Sequence, residues 1–245
     1  MPKRNSSALS RRAVMRLVQP EKKYFDDYFT LSAVAAGTTP TAFALGTSVR
    51  TQPVNETGIS QNSTPNGRIG AKIRVESLAL HMRFQLDAQA GAAAPQQGTA
   101  LFRICLVEDR QPNRVLPVWE TSGVVSGMVD AIGLDMATTG SVLAHRNLNT
   151  SGRIRVLHDR VYSMTMGPAT SAGTSATWAQ GRCIKYLSIY KKFGKGVVRK
   201  YAQTATDGPA TAIEKNGHYL FVLGEASNIG AHSMTCVSRM RYTDA

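Results

Sequence analysis

Apolar and polar residues alternate one for one through much of this chain, the signature of strands with one buried face. Ile73 and Val75 alternate with Lys72, Arg74 and Glu76. After Ser77 the phase slips by one: Leu78, Leu80, Met82, Phe84 and Leu86 become the apolar set, and His81, Arg83, Gln85 and Asp87 take the other face. A one-residue slip is what a β-bulge produces. In a second strand Phe102, Ile104 and Leu106 alternate with Arg103, Cys105 and Val107, and the turn formers of Glu108-Asp109-Arg110-Gln111-Pro112-Asn113 end it. The pattern returns at Ile154 and Val156 and then at Tyr162, Met164 and Met166. Ile184, Tyr186 and Tyr190 alternate with Lys185, Leu187, Ile189 and Lys191, and Met234, Cys236, Met240 and Tyr242 with Thr235, Val237, Arg239 and Arg241. The stretch from Tyr219 to Leu223 is apolar on both parities, which predicts a strand covered on both faces. An aromatic run from Tyr24 to Leu31 opens the series.

Between these segments lie polar, Gly/Pro-punctuated stretches. Residues 37–67 read as a long loop with one short strand, 87–99 and 167–180 as small-residue loops, and Val115 to Trp119 as a short packed segment. No long helical period and no internal repeat is present, so the expected class is an all-β sandwich or barrel. Composition agrees: 245 residues with 42% hydrophobic content supply a substantial core, and 18% charged residues is too few for a disordered chain. Cys105, Cys183 and Cys236 are odd in number and lack C-x-x-C spacing, which argues against a disulfide framework and for a reducing compartment; Cys105 and Cys236, inside alternating strands, are expected to be buried thiols. No run is long enough to span a bilayer and no apolar signal core opens the chain, so a soluble, non-secreted protein without membrane insertion is expected. The triplets at Asn55 and Asn62 match the glycosylation pattern but would not meet the enzyme outside the secretory route.

The net charge of +13 changes the picture because of where it sits. Residues 1–23 carry Lys3, Arg4, Arg11, Arg12, Arg16, Lys22 and Lys23 against Glu21 alone, a net +6. Residues 160–206 contain no acid and hold +8, including Lys191, Lys192, Lys195, Arg199 and Lys200, while everything else sums to −1. Concentrated positive charge is an electrostatic footprint for a polyanion. The competing reading is a solvated basic face that only maintains solubility. Within the first stretch, Ser6-Ser7 can cap a helix from Ala8 to Val18, but so basic a segment with few apolar anchors is marginal alone. It is expected to order on contact with a partner. Pro2-Lys3-Arg4 and Arg11-Arg12 loosely fit a nuclear-import signal.

Gly67-Arg68-Ile69-Gly70-Ala71-Lys72-Ile73, then Leu78-Ala79-Leu80, then the Val107-to-Asn113 turn resemble a set of motifs in the coat proteins of small circular single-stranded DNA viruses, the circoviruses and geminiviruses. Arg155 to Tyr162, Asn216 to Leu223 and Ser238 to Asp244 are similar to later strands of that family, in the same order. A glycine often follows the Q-P-N turn there; Arg114 stands in its place here. The resemblance implies a single eight-stranded antiparallel jelly roll over residues 24–245, preceded by a basic N-terminal arm at 1–23. It further implies self-assembly into an icosahedral shell of identical copies, packaging of single-stranded DNA by the basic residues named above, no cofactor, and residence in the virion with assembly in the host nucleus. A host receptor or import factor would be a further partner. DNA over RNA rests on the resemblance alone, since satellite RNA viruses also use single jelly rolls.

Residues that could carry other chemistry lack the spacing it needs. Phe193-Gly194-Lys195-Gly196 lacks the glycine spacing and hydroxyl of a phosphate loop, and no G-x-S-x-G elbow is present. His81, His145, His158, His218 and His232 never fall at H-x-H or H-x-x-x-H spacing, as a metal-binding jelly roll would require. His158 and Asp159 are strand neighbours and point to opposite faces. Glu108-Asp109 could hold a hard cation, though a simple turn carboxylate is the plainer reading. The expectation is therefore a non-enzyme. The second function class is a non-assembling cellular nucleic-acid-binding β-barrel, for which Tyr186, Tyr190 and Phe193 beside Lys185, Lys191 and Lys192 would be the reading face.

Overall fold

A computed structural model describes residues 21–31, 41–45, 59, 61, 67–86, 98–112, 114, 134–135, 142, 145–146, 152–166, 184–202, 212–224 and 232–245. Its strands are β1 (Lys22–Leu31), β2 (Thr41–Ala44), β3 (Lys72–Leu86), β4 (Gly98–Asp109), β5 (Leu134–Asp135), β6 (His145–Arg146), β7 (Ile154–Met166), β8 (Ile184–Tyr201), β9 (Ile213–Lys215), β10 (Gly217–Gly224) and β11 (His232–Asp244). The two-residue strands β5 and β6 pair with each other. The rest form a five-stranded sheet, β1-β11-β3-β8-β9, and a four-stranded sheet, β2-β10-β4-β7. Every pairing is antiparallel.

Setting aside β9 and the β5–β6 pair, the remaining eight strands pair first with last, second with seventh, third with sixth and fourth with fifth. That nesting is a long hairpin rolled into two sheets, the jelly roll. The expected fold class is the one observed.

Burial follows the alternation. In β3, Ile73 and Val75 are buried, then Leu78, Leu80, Met82, Phe84 and Leu86, with His81 and Arg83 exposed. The slip is a bulge at Glu76: β11 pairs Tyr242 with Val75 and Arg241 with Ser77, skipping it. Opposite the same point, β8 goes from Lys192 to Val197 while β3 goes from Ser77 to Val75, so Phe193-Gly194-Lys195-Gly196 arches out of the ladder. Gly196 has φ +70°, and a Cβ there would come within 2.4 Å of the Arg74 side chain, so this arch needs its glycine. The main core lies between the sheets, where Phe84 of β3 stacks on Phe102 of β4 with ring centres 4.2 Å apart.

The second strand departs from its expected half-buried pattern. In β4 every residue from Phe102 to Asp109 is buried. Phe102, Ile104 and Leu106 face the main core, while Cys105 and Val107 join Val142, Ile154, Tyr219, Phe221 and Leu223 in a second apolar cluster. Val142 packs on the outer face of the strand within that cluster, so the strand has apolar neighbours on both sides. Arg103, which alternation assigned to solvent, is only 7% exposed and forms a two-pronged ion pair with Asp159 (2.7 and 2.7 Å). Its Nη1 also donates to the Val142 carbonyl (3.3 Å).

The motif residues hold the ends of the sandwich. Arg68 is fully buried, donates to the carbonyls of Ile59 and Gly70, and lies over the Tyr201 ring. Gly70, at φ +83°, supplies the left-handed turn beside it. After the Q-P-N turn, Arg114 adopts φ +64°, the region where a glycine would be at ease. Its backbone N–H donates to Ile213 (3.0 Å) and its guanidinium to Glu214 (2.6 Å), so anchoring to β9 holds the non-glycine residue in place. Glu108 and Asp109 are occupied by arginines: Arg153 grips Asp109 with two bonds of 2.8 Å, and Arg155 lies 3.5 Å from Glu108. The turn carboxylates thus close the fold and are not open to a cation. Cys105 and Cys236 are buried free thiols, and burial pushes the Cys236 thiol up, keeping it protonated. Cys183, the helix expected at 8–18, the segment 115–119 and the loop expected at 167–180 lie outside the described residues, as do 87–97 of the loop expected at 87–99, whose last two residues instead open β4.

Candidate nucleic-acid interface

The outward faces of the two sheets differ. The four-stranded sheet carries Tyr219, Phe221 and Leu223 on its outer side, covered within the second apolar cluster. The five-stranded sheet presents polar and aromatic residues to solvent. On β1 the exposed parity is Lys22, Tyr24, Asp26 and Tyr28, on β11 Val237, Arg239 and Arg241, on β3 His81 and Arg83, and on β8 Tyr186, Ser188, Tyr190 and Lys192. Tyr24, Tyr28, Tyr186 and Tyr190 are 48%, 54%, 73% and 61% exposed, a large aromatic area for one face.

The ladder registers locate these side chains. Tyr24 pairs with Arg241, Asp26 with Arg239 and Tyr28 with Val237. Val237 pairs with His81 and Arg239 with Ala79. Ala79 pairs with Tyr190, His81 with Ser188 and Arg83 with Tyr186. The tyrosines therefore mark four corners around a low centre of Ala79, Val237 and His81. Neighbouring strands lie about 4.8 Å apart and alternate residues on a strand about 6.8 Å, so the tyrosines stand roughly 14 Å apart along a strand and roughly 16 Å apart across the staggered span. Arg239 is held by Asp26 (2.6 and 2.5 Å) and lies over the Tyr24 ring at 5.1 Å. His81 Nδ1 is 3.0 Å from the Ser188 hydroxyl, and Arg83 donates to Gln85 (2.6 Å). Among the described residues, Arg83, Arg241 and Lys192 form no ion pair with an acid.

The basic residues singled out from sequence fall into distinct places. Lys3, Arg4, Arg11, Arg12 and Arg16 lie outside the described residues. Lys22 is exposed at the start of β1. Lys23 is 3% exposed, ion-paired with Asp244 (2.8 Å) and bonded to the Gly67 carbonyl (3.0 Å). Lys192 and Lys195 are exposed, the latter on the β8 arch. Lys191 is half-buried and, after burial itself, is the main influence lowering the pKa of His158. Lys200 pairs with Glu214 (2.7 Å), which it shares with Arg114 in a shallow cavity of about 450 Å³ also lined by Lys215. Hydrogen bonds from Lys200 and Arg114 lower the Glu214 pKa.

Arg199 is fully buried. It donates to the Leu45 carbonyl (2.9 Å), to Tyr201 (3.4 Å) and to His218 Nδ1 (3.0 Å). The charges of Lys23 and Arg199 are thus spent inside the sandwich. Sequence reasoning missed Arg83, Arg239 and Arg241 as partners of the tyrosines, because strand order alone brings β1, β11, β3 and β8 side by side. Phe193 faces the core and packs against His218, so it does not join Tyr186 and Tyr190. Among the described residues no group of three His, Cys, Asp or Glu side chains is gathered as a metal site would need, and no helix is long and apolar enough to cross a membrane.

No protein-family model matches the chain, and no curated protein matches it. Among solved structures, the crystal structure of a 60-mer BFDV capsid protein is similar at 8% identity over 91% of each chain, with a TM-score of 0.27. A likeness that loose carries no functional argument.

Proposed function

We propose that this protein is a viral coat protein that assembles into a closed icosahedral shell and packages single-stranded DNA through its basic N-terminal arm. The observation that carries the reading is the union of two features. Eight strands nest as a jelly roll, a fold used for capsid domains, and the residues before its first strand carry Lys3, Arg4, Arg11, Arg12 and Arg16 against Glu21, a net +4. The ordered motifs shared with coat proteins of small circular DNA viruses add the choice of genome. They also suggest residence in the virion and assembly in the host nucleus. Within the fold, Gly67 to Gly70 and the turn after β4 act as locks, which explains those residues without any catalytic role. Phosphate contacts are assigned to the arm and to the accessible Lys22, Lys192 and Lys195. Shell contacts would fall on loops and sheet edges related by symmetry.

Cations on an extended arm neutralise phosphates without reading bases, so binding should be independent of sequence and strongly dependent on salt. With about six arm charges engaged on a single strand, log affinity should fall against log salt with a slope of roughly −4. Changing Arg11, Arg12 and Arg16 to Gln should lessen that slope by about 2 for every sequence alike. Fluorescence anisotropy across a salt series measures it, and an unchanged slope would remove the arm from packaging.

A further inference from the structure

We propose that the outward face of the β1-β11-β3-β8 sheet is a stacking platform for unpaired bases of single-stranded nucleic acid, with Tyr24, Tyr28, Tyr186 and Tyr190 as the stacking residues. The proposal takes its ligand from the packaging reading but places a second, chemically different contact on the folded domain. Exposed tyrosines are unfavourable to leave in water, and four on one face exceed what scattered surface aromatics would give. Base stacking on an aromatic ring tolerates any sequence, because every base offers a π-face.

Charge selects the occupant. Arg83, Arg241 and Lys192 stand beside the tyrosines with no acidic partner among the described residues, and Arg241 pairs directly with Tyr24 across the ladder. The acid nearest the tyrosine corners on this face, Asp26, is already neutralised by Arg239. A second copy of the same face would be repelled, and so would the chain's own basic arm. A polyanion with flat apolar groups fits both features: phosphates at the arginines and lysine, bases on the rings. Duplex fits poorly, since its bases are stacked on one another. The arm enters the fold at Lys22, two residues from Tyr24 on the same exposed parity, so a strand held by the arm would be delivered to this face.

The test uses the full chain below assembly concentrations, with a labelled oligothymidylate of about twenty nucleotides, the matching oligouridylate, an abasic oligomer of equal length and a duplex. Tyr186→Ala and Tyr190→Ala should each weaken binding of the base-bearing single strands about 5- to 150-fold. The salt slope should not change, and binding of the abasic oligomer should not change. Tyr186→Phe and Tyr190→Phe, which keep the ring, should restore affinity. Because these side chains are exposed, thermal melts of all variants should overlay. Unchanged affinity in the alanine variants overturns the platform, as does an equal loss on the abasic oligomer. Loss of self-association in sedimentation, with single-strand affinity intact, would instead make this face a protein contact and also overturns it. None of these outcomes touches the salt slope of the arm variants, so the platform and the packaging reading fail separately.

Discussion

Replacing Asp109 by Ala should destabilise the domain by about 3–5 kcal/mol, the usual consequence of stripping one partner from a buried ion pair. The Asp109 side chain has no solvent exposure and Arg153 is 16% exposed, so water can take over the lost bonds only in part. Asp109 accepts both prongs of the Arg153 guanidinium and also the backbone N–H of Gln111. One carboxylate therefore ties the end of β4 to the residue before β7 and to the following turn. Its removal takes the counter-charge from a largely buried guanidinium and the turn acceptor from the Gln111 N–H. For a domain of this size each kcal/mol shifts the midpoint by roughly 2–4 °C, so the melt should fall by about 6–20 °C. Glu214→Gln, at an exposed pair, should leave the melt nearly unmoved. Differential scanning calorimetry of the two variants separates them, and equal melts would show that Asp109 is an ordinary turn residue.

The second large effect is acid sensitivity set by His218. This ring is fully buried, and burial first, then Arg199 and Arg155, hold its pKa well below the usual histidine range. Nδ1 accepts from Arg199, which fixes the neutral form with its proton on Nε2. The charged groups that lower its pKa, Arg199 and Arg155, are cationic, Phe193 covers one side, and the carboxylate opposite it in the ladder, Glu108, lies 3.5 Å from Arg155. Above about pH 6.5 the ring is neutral folded or unfolded and contributes no pH dependence. As pH falls below that value the unfolded chain binds the proton and the folded one does not. Stability then drops by about 1.4 kcal/mol per pH unit until the depressed folded value is reached. His218→Gln should flatten this limb of the profile. Denaturant melts between pH 7 and 4 measure it, and parallel profiles for the two proteins would contradict the assignment.

Much of the fold was legible because alternation is a local property. Leu78 to Leu86 declares its parity within nine residues, and even the bulge shows as a slip at Ser77. What alternation cannot show is which strands lie side by side, or what covers a sheet from outside. Arg103 and Lys23 look solvated in sequence because their partners, Asp159 and Asp244, are distant and only the nested pairing brings them near. Cys105 and Val107 look exposed in sequence, yet they are packed with Val142, Ile154, Tyr219, Phe221 and Leu223. The candidate interface was half visible: Tyr186 and Tyr190 stood out with Lys192, whereas Tyr24 and Tyr28 read only as strand formers. The exposed parities of β1 and β8 lie at opposite sides of a four-strand span, and no sequence window contains both. Arg199 carries the sharpest lesson: its charge counted toward a basic stretch, yet its hydrogen bonds all run inward.

Electron microscopy of the full chain expressed in cells tests whether this jelly roll builds a shell around nucleic acid. Closed spherical particles of uniform size are predicted, holding nuclease-protected single-stranded nucleic acid that is released at high salt. A protein that remains monomeric across salt concentrations, with and without added single-stranded DNA, would contradict the claim.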